Sequence, residues 1–144
     1  MAKLKDLVSA TDMFFSKHWP ASIGIKPYTW MNNWSWNSSV PYHDKSGVYA
    51  LMDEHGEVVY IGLGASRGSD IYREHGISRR LLAHVIITDN EKGNGSYKPR
   101  DNWKEVVDIA AIGFPSDYSY LAPALEDYLI REFNPSRNSL KTTK

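Results

Sequence analysis

The sequence predicts an α/β protein of the α+β kind: a small three-stranded mixed sheet with flanking helices, in the order α-β-β-α-β-α. Three observations carry that expectation. Apolar residues recur at helical spacing near both ends of the chain. Two runs rich in β-branched and aromatic residues flank a polar turn. A third such run stands alone before a proline. At 144 residues and 42% hydrophobic composition, the chain suffices for one domain that buries its own core without covalent staples.

Leu4, Leu7, Val8 and Phe15 give residues 3–19 the rhythm of an amphipathic helix, which Pro20 ends. Residues 20–45 are rich in Asn, Ser and Pro and read as irregular. Trp30, Trp34 and Trp36 alternate at strand period there, and they read as a packed edge of the core before a base-stacking platform. Residues 1–45 are thus expected to be an N-terminal helix and tryptophan-rich extension packed on the core. Strands follow at 47–53 and 57–63, joined through Asp53-Glu54-His55-Gly56. Residues 64–76 read as a loop, 77–87 as a helix, and the next loop has Gly93 and Gly95 as flexible points. A strand over 105–114 is closed by Pro115. In a helix over 118–133, Pro123 marks the first turn of the main segment. The main domain spans 46–138, and 139–144 is a tail.

Seventeen basic and seventeen acidic side chains leave no net charge, whereas phosphate binding favours a basic excess. Arg67, Arg73, Arg79 and Arg80 do fall within fourteen residues, against Asp70 and Glu74. The absence of cysteine excludes disulfides, thiolate metal sites and a thiol nucleophile, which suits a cytoplasmic protein. No apolar run approaches the ~20 residues of a membrane span, so no membrane association is expected.

Strand alternation gives the hairpin a specific expectation. If Val48, Ala50, Met52, Val59 and Ile61 form the core side, Tyr49 and Tyr60 emerge together on the opposite face, roughly across from one another. A one-residue bulge at Gly56 would shift that pairing. Taken alone, two such phenols are a packing pair worth up to roughly 1 kcal/mol.

Further residues change the weight of that reading. Gly47-Val48-Tyr49 and Tyr60-Ile61-Gly62 are separated by ten residues. Arg80-Leu81 and His84 follow in "ISRRLLAHV", with Arg80 preferred over Arg79 for its leucine and its histidine partner. Glu126 lies in "ALEDYLIREF", and Asn138 twelve residues later in "NPSRN". Residues 80 and 84 share one helix face. In this order the set resembles the GIY-YIG nuclease superfamily, with GVY for GIY and YIG intact, over about two-thirds of the chain (46–138). The stretch between Tyr60 and Arg80 is longer than in minimal members, and residues 1–45 have no counterpart in the shared core.

The resemblance implies a metal-dependent DNA endonuclease that hydrolyses phosphodiester bonds, of restriction type or of phage or mobile-element type. It implies one Mg²⁺ (or Mn²⁺) on Glu126, since Mg²⁺ keeps several waters and needs one or two carboxylates. Arg80 would grip the scissile phosphate, with a fork that lysine lacks. Tyr49 would act as base or water-positioning group, with His84 as its proton acceptor, and Tyr60 beside it. Asn138 would support the site through its amide. The implied partner is double-stranded DNA, with a homodimer where both strands are cut. The alternatives are a repair or branched-structure-specific nuclease, and a non-catalytic nucleic-acid-binding module on the same fold. No organic cofactor is expected, because Gly62, Gly64 and Gly68 follow a hairpin and not a βαβ unit. His18, His43, His55 and His75 lack metal-ligand spacing.

Overall fold

The computed structural model describes residues 2–65 and 75–138. Most of the expected loop 64–76, with Arg67, Gly68, Asp70, Arg73 and Glu74, and the tail 139–144 lie outside the described residues. The order of helices and strands is α1 (Leu4–His18), β1 (Ser46–Met52), β2 (Val58–Gly64), α2 (Gly76–His84), β3 (Ile86–Thr88), β4 (Tyr97–Pro99), β5 (Asp108–Phe114) and α3 (Ala122–Phe133). Among the described residues, no helix is long and apolar enough to cross a membrane.

The main sheet has the order β2-β1-β5, and both pairings of the central strand are antiparallel. It is therefore wholly antiparallel, where a mixed sheet was expected. Both of its faces are covered. Val48, Ala50, Met52, Val58, Ile61, Ile112 and Phe114 pack with Leu7 and Phe14 of α1 and with Leu125 and Leu129 of α3. Tyr49, Leu51, Val59, Ile109 and Ala111 pack on the other face with Ile77 and Leu81 of α2. Every residue of β1 is buried. A strand covered on both sides reads as a continuous apolar run, which is why the alternation of 47–53 did not mark an open face.

The hairpin turn has Gly56 in the left-handed region (φ 76°). The Asp53 carboxylate accepts backbone N–H bonds from His55 (2.9 Å) and Glu57 (3.0 Å). The irregularity in pairing lies further on. Leu51 pairs with Tyr60 but Met52 with Val58, so Val59 is the extra residue. That bulge turns Val58 toward the α1/α3 face and Val59 toward the α2 face, the reverse of strict alternation. Tyr49 pairs with Gly62, and not with Tyr60 as expected: a regular ladder from Met52 and Val58 would set it against Ile61, and the bulge moves it one residue further.

Two further departures are local. The helix expected over 77–87 ends at His84, where the β-branched run at 85–88 begins. Its end is held by Arg100, whose Nη2 donates to the Leu82 carbonyl at 2.6 Å and whose backbone N–H donates to Val85 at 2.8 Å. The last residues of that expected helix and the loop expected beyond it form the small β3–β4 hairpin. Pro123 does lie in the first turn of α3, after a 3-10 turn over Ser116–Leu121.

The N-terminal extension packs on both faces of the sheet. Met31 and Ala111 exchange backbone hydrogen bonds of 2.8 and 2.9 Å along the outer edge of β5. Trp30 then packs on the α1/α3 side, and its Nε1 donates to the Thr11 hydroxyl at 3.0 Å. Trp34 and Trp36 pack on the α2 side, with ring centroids 5.2 Å apart. Asn33 and Trp36 have positive φ (62° and 64°), which breaks the strand period that would keep all three indoles on one face.

Candidate active site

β1 supplies Tyr49 from the α2 face of the sheet, and Gly62 is its partner on the edge strand β2. Gly62 provides the space for the phenol. A Cβ there would overlap the Tyr49 ring, with Cε2 only 2.7 Å from it. Because β2 is the outermost strand, a phenol lying over Gly62 points toward the edge of the sheet. At this edge, side chains from α2 on one face and α3 on the other come together.

Tyr60 is the diagonal neighbour of Tyr49 on the same face, and the two rings are 6.2 Å apart. Tyr49 is 2% exposed, whereas Tyr60 is half-buried. Burial pushes the Tyr49 phenol well above its ordinary range. The Tyr60 phenol adds to the rise, the charge and hydrogen bond of Arg80 oppose it, and the Glu126 carboxylate adds a smaller upward push. Residues from β2, α2 and α3 therefore act on a single hydroxyl supplied by β1.

Arg80 reaches this point because Ile77 and Leu81 anchor α2 on the sheet, leaving residue 80 at the rim. The contact is close at the start of the helix. A Cβ on Gly64 would lie 2.6 Å from the Ile77 nitrogen, so only glycine lets the helix sit this low. Arg80 is thus the arginine that bonds Tyr49. His84 shares its helix face but lies exposed in the last turn. Among the described residues no hydrogen bond or ion pair ties His84 to Tyr49, so the proton-acceptor role has no contact behind it.

Glu126 is half-buried on α3, next to the buried Leu125. Among the described residues, no three His, Cys, Asp or Glu side chains gather at one point. One carboxylate beside phenol oxygens fits a hydrated Mg²⁺ or Mn²⁺ that keeps most of its waters, and does not fit an all-protein cage.

Asn138 is fully buried, and its amide grips the edge strand. Oδ1 accepts the Ile61 N–H at 2.8 Å, and Nδ2 donates to the Ile61 carbonyl at 2.9 Å. The side chain thereby replaces a missing neighbour strand between Tyr60 and Gly62. The ordinary role of an asparagine after a helix falls instead to Asn134, the left-handed C-cap of α3 (φ 44°).

Sequence reasoning passed over two residues, Trp103 and Arg137. The Trp103 ring meets Tyr60 edge to face at 5.1 Å, and the Arg137 guanidinium lies 3.8 Å from the Trp103 centroid. The available signal was weak: a tryptophan alone in a polar loop, and an arginine adjoining Asn138. No protein-family model matches the chain, and no curated protein matches it.

Proposed function

We propose that the protein is a metal-dependent DNA endonuclease that hydrolyses phosphodiester bonds, of restriction type or of phage or mobile-element type. The observation that carries this reading is the convergence of Tyr60, Arg80 and Glu126, from three other elements, on the Tyr49 phenol, with the two tyrosine rings 6.2 Å apart. A phosphodiester site needs a cationic grip on the phosphate, a hard oxygen ligand, and hydrogen-bonding groups that place a water, and this set contains all three.

Arg80 holds the scissile phosphate through charge-assisted hydrogen bonds. Glu126 would hold one Mg²⁺ or Mn²⁺, whose contribution is to offset charge at the phosphate and at the departing 3′ oxygen. Tyr49 works as a neutral phenol. Its raised pKa makes it a poor base at neutral pH, so it accepts a hydrogen bond from Arg80 and donates its own hydrogen toward a phosphate oxygen, while the attacking water passes its proton to solvent. Tyr60, the more exposed phenol, completes the pair. One such site cuts one strand, so cleavage of a duplex takes two copies of the chain or two successive events.

Plasmid, linear duplex and branched DNA incubated with the protein and Mg²⁺ or Mn²⁺ test the proposal. Divalent-dependent cleavage is expected, reduced at least about a hundredfold in Glu126→Ala and in Arg80→Ala. Cleavage at the full rate in Glu126→Ala would remove the metal site. Cutting confined to the branched substrate would assign the activity to DNA repair or branch resolution.

A further inference from the structure

We infer that Trp103, clamped by Arg137, is a positioning residue that fixes the ring of Tyr60 for the reaction proposed above, on which this inference rests. Tyr60 stands on a bulged edge strand and is half-buried. Two devices at the C-terminal end of the described chain act on its position. Asn138 fixes the backbone next to Tyr60 through both polar groups of Ile61 (2.8 and 2.9 Å). Arg137, the adjacent residue, fixes the ring through Trp103.

The second device is built in layers. The Trp103 indole, 8% exposed, sets its ring against Tyr60 at 5.1 Å and 61°. Edge-to-face packing of this kind is orientation-dependent, so it selects one ring setting over others. Arg137 covers the indole at 3.8 Å. The guanidinium is itself tied down: Nη1 pairs with the Glu105 carboxylate at 2.6 Å and Nη2 donates to the Asn102 carbonyl at 2.9 Å. Both anchors flank Trp103 in sequence, so Arg137 clips the loop that carries the indole as well as the indole itself. Tyr49 needs no such help, because the sheet and α2 enclose it.

Positioning and mere stability separate in kinetics. Loss of a ring orientation used in the transition state lowers kcat and leaves KM in place. In the full-length protein with Mg²⁺ and duplex DNA, Trp103→Leu and Arg137→Gln are each expected to lower kcat about tenfold or more, with KM within about twofold. Trp103→Phe, which restores an aromatic edge, is expected to regain most of the rate. Arg137 is partly exposed, so its variant keeps the test open if Trp103→Leu fails to fold.

A second readout does not depend on activity. In protein labelled with 3-fluorotyrosine, the Tyr60 resonance, assigned by its loss in Tyr60→Phe, should move in Trp103→Leu and Arg137→Gln and return toward its position in Trp103→Phe. Unchanged kcat in a protein that cleaves DNA through Glu126 overturns the positioning role and leaves the nuclease reading intact. Absence of Glu126-dependent cleavage overturns the nuclease reading, and the catalytic positioning role with it. An unmoved Tyr60 resonance in both variants overturns the clamp whatever the activity.

Discussion

At Tyr49, burial and the Arg80 guanidinium pull the phenol in opposite directions, and burial prevails. The folded protein therefore keeps this proton to higher pH than the unfolded chain, whose tyrosines ionise near pH ~10. Above that point the unfolded state has fewer bound protons than the folded one, so stability holds below about pH 10 and falls as pH rises beyond it. Urea denaturation at intervals through the alkaline range should show this fall, with a shallower slope in Tyr49→Phe. Tyr42, also raised by burial, keeps part of the slope in the variant. The glycine opposite Tyr49 has the complementary role. Gly62→Ala drives a Cβ into the ring and should cost about 1–3 kcal/mol, with the phenol displaced. In a Tyr49→Ala background the same substitution should cost far less, and a double-mutant cycle measures the difference. Additive effects would mean that the ring and the glycine do not share this space.

At the scale of elements, the edge of β2 depends on one buried amide. Asn138→Ala leaves the N–H and carbonyl of Ile61 without their partner and should lower stability by about 2 kcal/mol or more, seen as a lower urea midpoint at constant slope. Asn138→Asp keeps an acceptor for the N–H but turns an acceptor toward the carbonyl, and should fall well short of the native side chain. The sequence made the elements legible where their periodicity was long: α1, the paired strands, β5 and α3 all lie close to where their apolar rhythm put them. The three-residue strands β3 and β4 are too short to leave a period. The bulge at Val59 left no mark either, because Val58 and Val59 are identical residues and either fits either face. That one residue decides which group faces Tyr49. With strict pairing onward from Met52 and Val58 it would be Ile61, and with the bulge it is a glycine that makes room for the ring. The grouping of Tyr49, Tyr60, Arg80 and Glu126 was legible only through the family resemblance, since no local pattern joins residues so far apart. Trp103 and Arg137 lay beyond that resemblance, because Trp103 meets Tyr60 and Arg137 meets Trp103 from two 3-10 turns whose placement is tertiary.

For the molecule as a whole, the sheet edges and the balance of charge limit how it meets other molecules. Backbone from Ala2 bonds Val58 on the β2 edge at 2.8 Å, Asn138 takes Ile61 on the same edge, and Met31 occupies Ala111 on the β5 edge. Strand addition by another chain would have to displace these contacts, so if two copies associate they would do so through helix or loop surfaces. Under the proposed function, zero net charge bears on how DNA would be held. Affinity that comes from released counterions scales with the number of phosphates neutralised, and a chain with no net charge brings no overall basic excess to it. The logarithm of the binding constant for a labelled duplex, measured by anisotropy without divalent ions, should therefore decline only gently with the logarithm of salt concentration. Arg80→Ala should flatten the slope by about 0.9, the share of one phosphate contact. Lysine at position 80 would preserve that charge and the slope, yet lose the forked grip, so Arg80→Lys should bind with near-native salt dependence while cleaving slowly. A variant that matched native cleavage would show that position 80 contributes charge alone, and an unchanged slope in Arg80→Ala would place the phosphate elsewhere on the protein.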